Sequence, residues 1–171
     1  MKTTFYILLI TLFFSCKVQQ VYAQDPNNAP FVGTWEHQNG NDIFRVTIWE
    51  DGNDLKGDYW FIQTNNGVET IICASNYIIP NSNTNYRHVI FGGSKDGIIM
   101  GALLDDNSIN CQNGAAERER MSGNASLTIQ SGCLGCPITA EWKVERLRGI
   151  RIQGDPTEFS VPTDVIMTKV N

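Results

Sequence analysis

Residues 42–73 read DIFRVTIWEDGNDLKGDYWFIQTNNGVETIIC, three apolar runs separated by two short polar turns. In the first run Phe44, Val46 and Ile48 alternate with polar residues, which is the period of two of a strand with one buried face. The second run, residues 55–63, is rich in aromatic residues and the third in β-branched residues, and both compositions favour strands. The stretch therefore predicts three consecutive antiparallel strands.

Asn66 and Gly67 lie between the second and third runs. Asn-Gly is the strongest short signal for a tight hairpin, because both central residues of a type I′ turn need a positive φ. The turn between the first two runs carries acidic and amide side chains that could ligate calcium, but the twelve-residue loop pattern is absent. We interpret it as a polar turn, and the sequence predicts no metal site.

Strand patterns recur along the rest of the chain, and no stretch of ten or more residues shows a 3.6-residue period. About nine strands at short intervals predict an all-β fold with antiparallel neighbours. Such a sheet buries its apolar face by closing into a single calycin-like barrel or by folding into a compact sandwich. One helical turn is expected in residues 112–121. The remaining strands are predicted after residue 31 and at residues 86–91, 97–104, 125–130, 138–147 and 165–170.

The N-terminus is predicted to be an export signal. Lys2 precedes an apolar run, residues 5–14, which is too short to span a bilayer as a permanent helix and fits a secretory h-region. Cleavage after Ala23 would give a periplasmic or secreted protein, whereas lipidation of Cys16 would give an outer-membrane lipoprotein. The expected division is an export signal (1–23, or 1–15 if Cys16 is lipidated), a linker (24–30) and a β domain (31–171).

The charge of the chain limits its partners. It carries 13 Lys and Arg against 18 Asp and Glu, a net charge of −5. An acidic protein repels nucleic acid and anionic membrane surfaces. We therefore expect no nucleic-acid partner and contact with a membrane only through a lipid anchor. We also expect no cofactor.

Four cysteines follow Cys16, and an even number in an exported chain predicts two disulfides. Three pairings are open, and the spacing does not choose among them. The Cys-x-x-Cys motif of residues 133–136 could exchange disulfides, but that chemistry usually needs a helix N-terminus, and Gly135 and Pro137 favour a loop. We expect structural disulfides among Cys73, Cys111, Cys133 and Cys136.

Three short motifs carry a resemblance to known proteins: Ser-Cys-Lys at residues 15–17, Gly-Thr-Trp at residues 33–35 and Leu-Arg-Gly at residues 147–149. Together they resemble a family of uncharacterised small bacterial envelope proteins, a domain of unknown function. The resemblance covers most of the chain after the signal. It implies export, a β fold and lipidation of Cys16, and it implies no activity.

The opening strand is also similar to that of avidin-like and lipocalin-like barrels, through residues 33–35, Gln38, Gly40 and residues 46–47. That similarity implies a barrel in which Trp35 closes one end. The polar residues that hold the ligand in avidin-like barrels are not matched here, so the similarity implies no biotin binding.

The sequence contains no recognisable catalytic motif. We expect a non-enzymatic envelope protein that binds a small apolar or amphipathic ligand inside a barrel, or that presents its surface to another envelope protein. The alternative is a small periplasmic enzyme, either a hydrolase using His88 or a thiol–disulfide exchanger using Cys133 and Cys136. The residues expected to line the ligand are Trp35, Trp49, Tyr59, Phe61 and Trp142.

Overall fold

The computed structural model describes residues 27–79, 83–108, 120–130, 132–148, 153–154 and 156–170. The helical turn expected in residues 112–121 lies almost wholly outside these ranges. Over the described residues the chain forms nine strands and one short 3-10 helix, and no α-helix. They are η1 (Ala29–Phe31), β1 (Gly33–Asn39), β2 (Asp42–Asp51), β3 (Asp54–Asn65), β4 (Val68–Ala74), β5 (Ile90–Gly93), β6 (Ile99–Asp106), β7 (Met121–Ile129), β8 (Thr139–Arg146) and β9 (Asp164–Lys169).

Eight of these strands close into an antiparallel barrel, which confirms the predicted fold class and selects the barrel over the sandwich. The order around the ring is β2-β1-β9-β8-β7-β6-β5-β3, and pairing of β2 with β3 closes it. Consecutive strands are neighbours throughout, apart from β4, so this is an up-and-down barrel. The barrel resembles calycin-like folds.

The strand β4 lies outside the ring because β3 shares one edge between two partners. Residues 55–57 of β3 pair with β5, and residues 60–65 of the same edge pair with β4. The turn between β3 and β4 has φ of 51° at Asn66 and 79° at Gly67, as the Asn-Gly signal predicts. The β3–β4 hairpin therefore extends beyond β5 and forms a wall at one end of the barrel.

The helix η1 closes the opposite end of the barrel. Phe31 is fully buried there, and its carbonyl oxygen accepts a hydrogen bond from the indole N–H of Trp35 at 2.8 Å. The Asn28 amide donates to the carbonyl of Asn53 at 2.9 Å and accepts from the backbone N–H of Ser94 at 2.9 Å. These bonds hold η1 between the β2–β3 and β5–β6 turns, where it covers this end of the barrel.

Large side chains fill the middle of the barrel. Phe44, Tyr59 and Trp142 are buried, and the Phe44 ring centroid lies 5.9 Å from that of Tyr59 and 6.0 Å from that of Trp142. They occupy alternate, inward-facing positions of their strands, as the period of two predicts. Other buried members of this core include Val46, Ile48, Met100, Leu104, Leu127 and Met167.

Two strands begin four residues away from the first residue that the sequence predicts. The strand predicted at residues 86–91 begins only at Ile90, because Tyr86 pairs through its backbone N–H with the carbonyl of Tyr77 instead, at 2.8 Å. The strand predicted at residues 125–130 begins earlier, at Met121, within a polar segment. A Cβ at Gly123 would lie 2.6 Å from the ring of Phe159, so the missing side chain gives that ring room against the barrel wall.

Candidate functional site

The open end of the barrel holds a cleft of about 740 Å³. Its walls come from the β1–β2 turn, the β3–β4 hairpin, the residues that follow β6 and the residues that lead into β9. Clefts of 300–1,000 Å³ are the usual size of small-molecule sites. The cleft is thus a mouth above a filled core, large enough for one small ligand.

The inner wall of the cleft is apolar. Phe44 and Phe61 lie side by side with ring centroids 5.4 Å apart, and Ile72 and Val165 also line the cleft. Phe61 is half-buried and Ile72 is exposed, so apolar surface at the wall faces solvent. A ligand that covered this surface would gain about 25 cal/mol for each Å² removed from water.

His37 contributes a polar group with a defined orientation to the same cleft. Its Nδ1 lies 3.0 Å from the carbonyl oxygen of Ile166. Because a carbonyl oxygen only accepts, Nδ1 carries a proton, and Nε2 of the neutral ring is then an acceptor. Nearby, the exposed carboxylate of Asp42 accepts a long hydrogen bond, 3.4 Å, from the Gln63 amide.

A fully buried carboxylate, Asp106, lies behind the polar side of the cleft. Its Oδ1 accepts from the Tyr59 hydroxyl at 2.9 Å, the Ser160 hydroxyl at 2.6 Å, and the Ser108 hydroxyl and backbone N–H at 3.0 and 3.3 Å. Its Oδ2 accepts from the backbone N–H groups of Ser160 at 2.5 Å and Val161 at 3.4 Å. These six donors satisfy the carboxylate. Among the described residues, no Lys, Arg or His forms an ion pair with Asp106.

The carboxylate network fixes the hydroxyl groups of Ser108 and Ser160. The Ser108 and Ser160 hydroxyl oxygens are 2.5 Å apart, and both residues line the cleft. Burial first and the charge of Asp106 second raise the pKa of Tyr59, so its phenol stays protonated and keeps donating. The polar side of the cleft is therefore pre-organised.

The structure places the five aromatic ligand-lining candidates at different depths. Phe61 lines the cleft, and the buried Tyr59 and Trp142 lie below it in the core. Trp35 is buried at the closed end. Trp49 lies outside the cleft, with its ring centroid 5.0 Å from that of His88.

His88, the hydrolase candidate, is exposed in the segment before β5. It lines a second, smaller cleft of about 460 Å³ together with Asp105 and Arg120. Tyr86, which also lines that cleft, stacks on Tyr77 with ring centroids 5.3 Å apart, and the Arg120 guanidinium lies 4.6 Å from the Tyr86 centroid. These contacts tie the segment to the barrel wall.

The cysteines divide between the two ends of the barrel. Cys133 and Cys136 form a disulfide with each other in the exposed turn between β7 and β8, at the closed end. Cys73 is disulfide-bonded and lies in the cleft wall on β4. Cys16 and Cys111 lie outside the described residues.

Over the described ranges, no group of three or more His, Cys, Asp or Glu side chains is arranged to hold a metal ion. The acidic residues in and after the β2–β3 turn have different partners: Asp51 pairs with Lys56, whereas Asp58, on β3, is buried and accepts a hydrogen bond from Ser75 at 3.1 Å. In the part of the chain that the structure describes, no helix is both long and apolar enough to cross a membrane.

Sequence reasoning missed the polar side of the cleft. Asp106 and Ser108 belong to the run Asp-Asp-Asn-Ser, which follows an apolar strand and resembles an ordinary turn. Ser160 lies 52 residues further along the chain. Only closure of the barrel brings these side chains together, so local spacing carried no signal for the site.

The fold and the cleft define a class: a closed eight-stranded antiparallel barrel with one plugged end and one ligand-sized mouth. Residues 1–170 match a family of unknown function (DUF6705), and the chain belongs to that family. Comparisons with curated proteins and with solved structures gave no significant match.

Proposed function

We propose that this protein is an exported binding protein that holds a small amphipathic ligand in the cleft at the open end of its barrel. The observation that carries the proposal is the pairing of an apolar wall, Phe44 and Phe61, with a fixed polar side made by Ser108 and Ser160. Apolar pockets with a few convergent polar groups are typical of small-molecule sites.

The depth of the cleft limits how the ligand would bind. The rings of Tyr59 and Trp142 fill the core below Phe44, so a ligand would insert only into the mouth. Its apolar part would lie on Phe44, Phe61 and Ile72. Its polar part would reach His37 or the serines, which keep their hydrogen-bonding groups in place without the ligand.

The N-terminal sequence supports the proposal that this protein is exported. Residues 5–14 have the length and composition of a secretory h-region, and two alternative processing sites follow, at Cys16 and after Ala23. The protein would act in the cell envelope, either tethered to the outer membrane through a lipidated Cys16 or free in the periplasm or the medium.

The test is a titration with 1-N-phenylnaphthylamine, an uncharged amphiphile whose fluorescence rises in apolar surroundings. The wild-type protein is expected to bind it saturably. Ile72→Lys places a charge in the apolar wall and should weaken binding at least tenfold, about 1.4 kcal/mol. Ile71→Lys is the matched control, because Ile71 is the exposed neighbour on β4 and does not line the cleft.

Equal binding by the wild type and both variants would mean that the probe sits elsewhere, and no saturable binding by the wild type would remove the ligand proposal. The competing proposal is a partner protein on the outer barrel surface. Phe91 and Leu103, which are cross-strand neighbours on β5 and β6, are both exposed there. A wild-type protein that binds no amphiphile would favour that alternative.

A further inference from the structure

We infer that the cleft selects amphiphiles with a cationic head, such as a long-chain amine, over those with an anionic head. This inference rests on the proposed ligand-binding function and adds the chemical class of the ligand. It is carried by the charges placed around an apolar wall at the open end of the barrel.

The charged groups at the cleft are negative. Asp42 lies at the rim with its carboxylate exposed, and Asp106 lies buried behind the two serines. Among the described residues that line the cleft, none is Lys or Arg. With Nδ1 of His37 donating to the carbonyl of Ile166, the Nε2 atom of the neutral ring presents an acceptor to the cleft. A carboxylate or phosphate head would therefore meet two negative charges and, among the described lining residues, no Lys or Arg.

The acceptors of the cleft match the donors of an ammonium group. An R–NH₃⁺ head has three N–H donors and no acceptor. Asp42 and the Nε2 atom of His37 can both accept, and the serine oxygens retain lone pairs, since their protons are used within the network of the two serines and Asp106. Phe44 and Phe61 line the same cleft, and aromatic rings attract a cation through their negative faces.

The two carboxylates at the cleft differ in burial, so added salt should screen their charges to different extents. Asp106 is fully buried, so salt screens its field less than that of a surface charge. Asp42 is exposed, so its part of the preference should fall as salt is added. The combination predicts a preference for cations that decreases with ionic strength but does not vanish.

The experiment measures the affinities of dodecylamine, dodecanol and dodecanoate below their aggregation concentrations, by displacement of 1-N-phenylnaphthylamine at neutral pH. The three share one apolar tail and differ in head charge. We expect dodecylamine to bind at least tenfold more tightly than dodecanoate, with dodecanol between them. Asp42→Asn should reduce that ratio at least threefold.

Asp54→Asn is the matched control, since it removes the same charge from an exposed turn at the closed end of the barrel. It should change the ratio by less than a factor of 1.5. An equal effect of both substitutions would assign the preference to overall attraction by an acidic protein and overturn the inference. So would equal affinities for the amine and the carboxylate.

The outcomes separate the inference from the function on which it rests. If dodecanol binds and the head charge makes no difference, the binding function stands and the cationic preference is wrong. If none of the three displaces the probe, the binding function itself fails. Circular dichroism of each variant checks that the barrel is intact.

Discussion

At the scale of single residues, the most consequential group is Asp106, a buried carboxylate held by hydroxyl and backbone N–H donors from three separate segments of the chain. Removing one partner of a buried charged network leaves the others unsatisfied, which costs more than the same bond gains on folding. Asp106 therefore serves stability and site geometry together, since Ser160 takes its position in the cleft from this carboxylate.

We predict that Asp106→Asn lowers the free energy of unfolding by about 3 kcal/mol. An amide has one accepting oxygen, so its NH₂ group must face a backbone N–H, either that of Ser108 or those of Ser160 and Val161. Urea unfolding measures the loss. The exposed Asp164→Asn is the control for charge and should change stability by less than about 0.5 kcal/mol. A loss no greater in Asp106→Asn than in this control would contradict the network described.

Asp58 gives stability a pH dependence with a defined sign. Burial is the main cause that raises the pKa of Asp58, and a hydrogen bond from Ser75 partly opposes it. The folded protein then binds this proton more tightly than the unfolded chain, whose carboxyl titrates near its usual value of 3.8. As the pH rises from about 4 through the raised pKa, this group costs stability.

The side chain that Asp58→Asn introduces carries no charge at any pH. The stability of this variant relative to the wild type should therefore increase as the pH rises from about 4. We expect the Tm of the variant minus that of the wild type to become more positive between pH 4 and pH 7. Asp54→Asn, at an exposed position, controls for the change in net charge. A difference that is flat, or that moves the other way, would show that Asp58 is not destabilised by burial.

At the scale of elements, the turn of the β3–β4 hairpin requires two consecutive residues with a positive φ. Gly67 has φ of 79° and open space around its Cα, whereas Gly101 on β6 also has open space but no positive φ. We predict that Gly67→Ala costs about 1 kcal/mol, because an L residue is strained in the left-handed region. Gly101→Ala should change stability by less than about 0.5 kcal/mol in the same thermal unfolding experiment. Equal effects would mean that the turn is not type I′.

The elements were largely predictable from local sequence. Alternation of Phe44, Val46 and Ile48 predicted β2, and Asn66 with Gly67 predicted the hairpin that follows β3. The first residues of β5 and β7 were not predictable, because tertiary contacts determine where these two strands begin. Tyr86 leaves the strand pattern to pair with Tyr77, and Gly123 lies in a strand because the ring of Phe159 needs its space.

At the scale of the whole molecule, export and anchoring lead to one prediction from the N-terminal sequence. The intact mass of the protein recovered from the envelope of its own cells should correspond either to a chain that begins at an acylated Cys16 or to one that begins at Gln24. Cys16→Ser should abolish the acylated species and leave a chain that begins at Gln24. An uncleaved wild-type chain retaining residues 1–15 would contradict the predicted signal.

Closure of the barrel and formation of the cleft depend on contacts between residues that are distant in the sequence, so the sequence alone could not predict them fully. Alternating strands fit a barrel or a sandwich equally well, and the choice depends on β2 pairing with both β1 and β3. The cleft needs Asp106 and Ser160, more than 50 residues apart, to meet at one rim. Of the aromatic side chains predicted to line a ligand, Phe61 lies in the wall because the β3–β4 hairpin continues past β5.

The central claim is that a ligand binds at the open end of the barrel, and amide chemical-shift mapping by NMR during titration with dodecanol tests it most directly. The account predicts shifts that cluster at Asn39, Ile72 and Val165, with no change at Gly52 or Leu134 at the closed end. Shifts that cluster at the closed end, or that spread evenly over the outer face of the barrel, would contradict it.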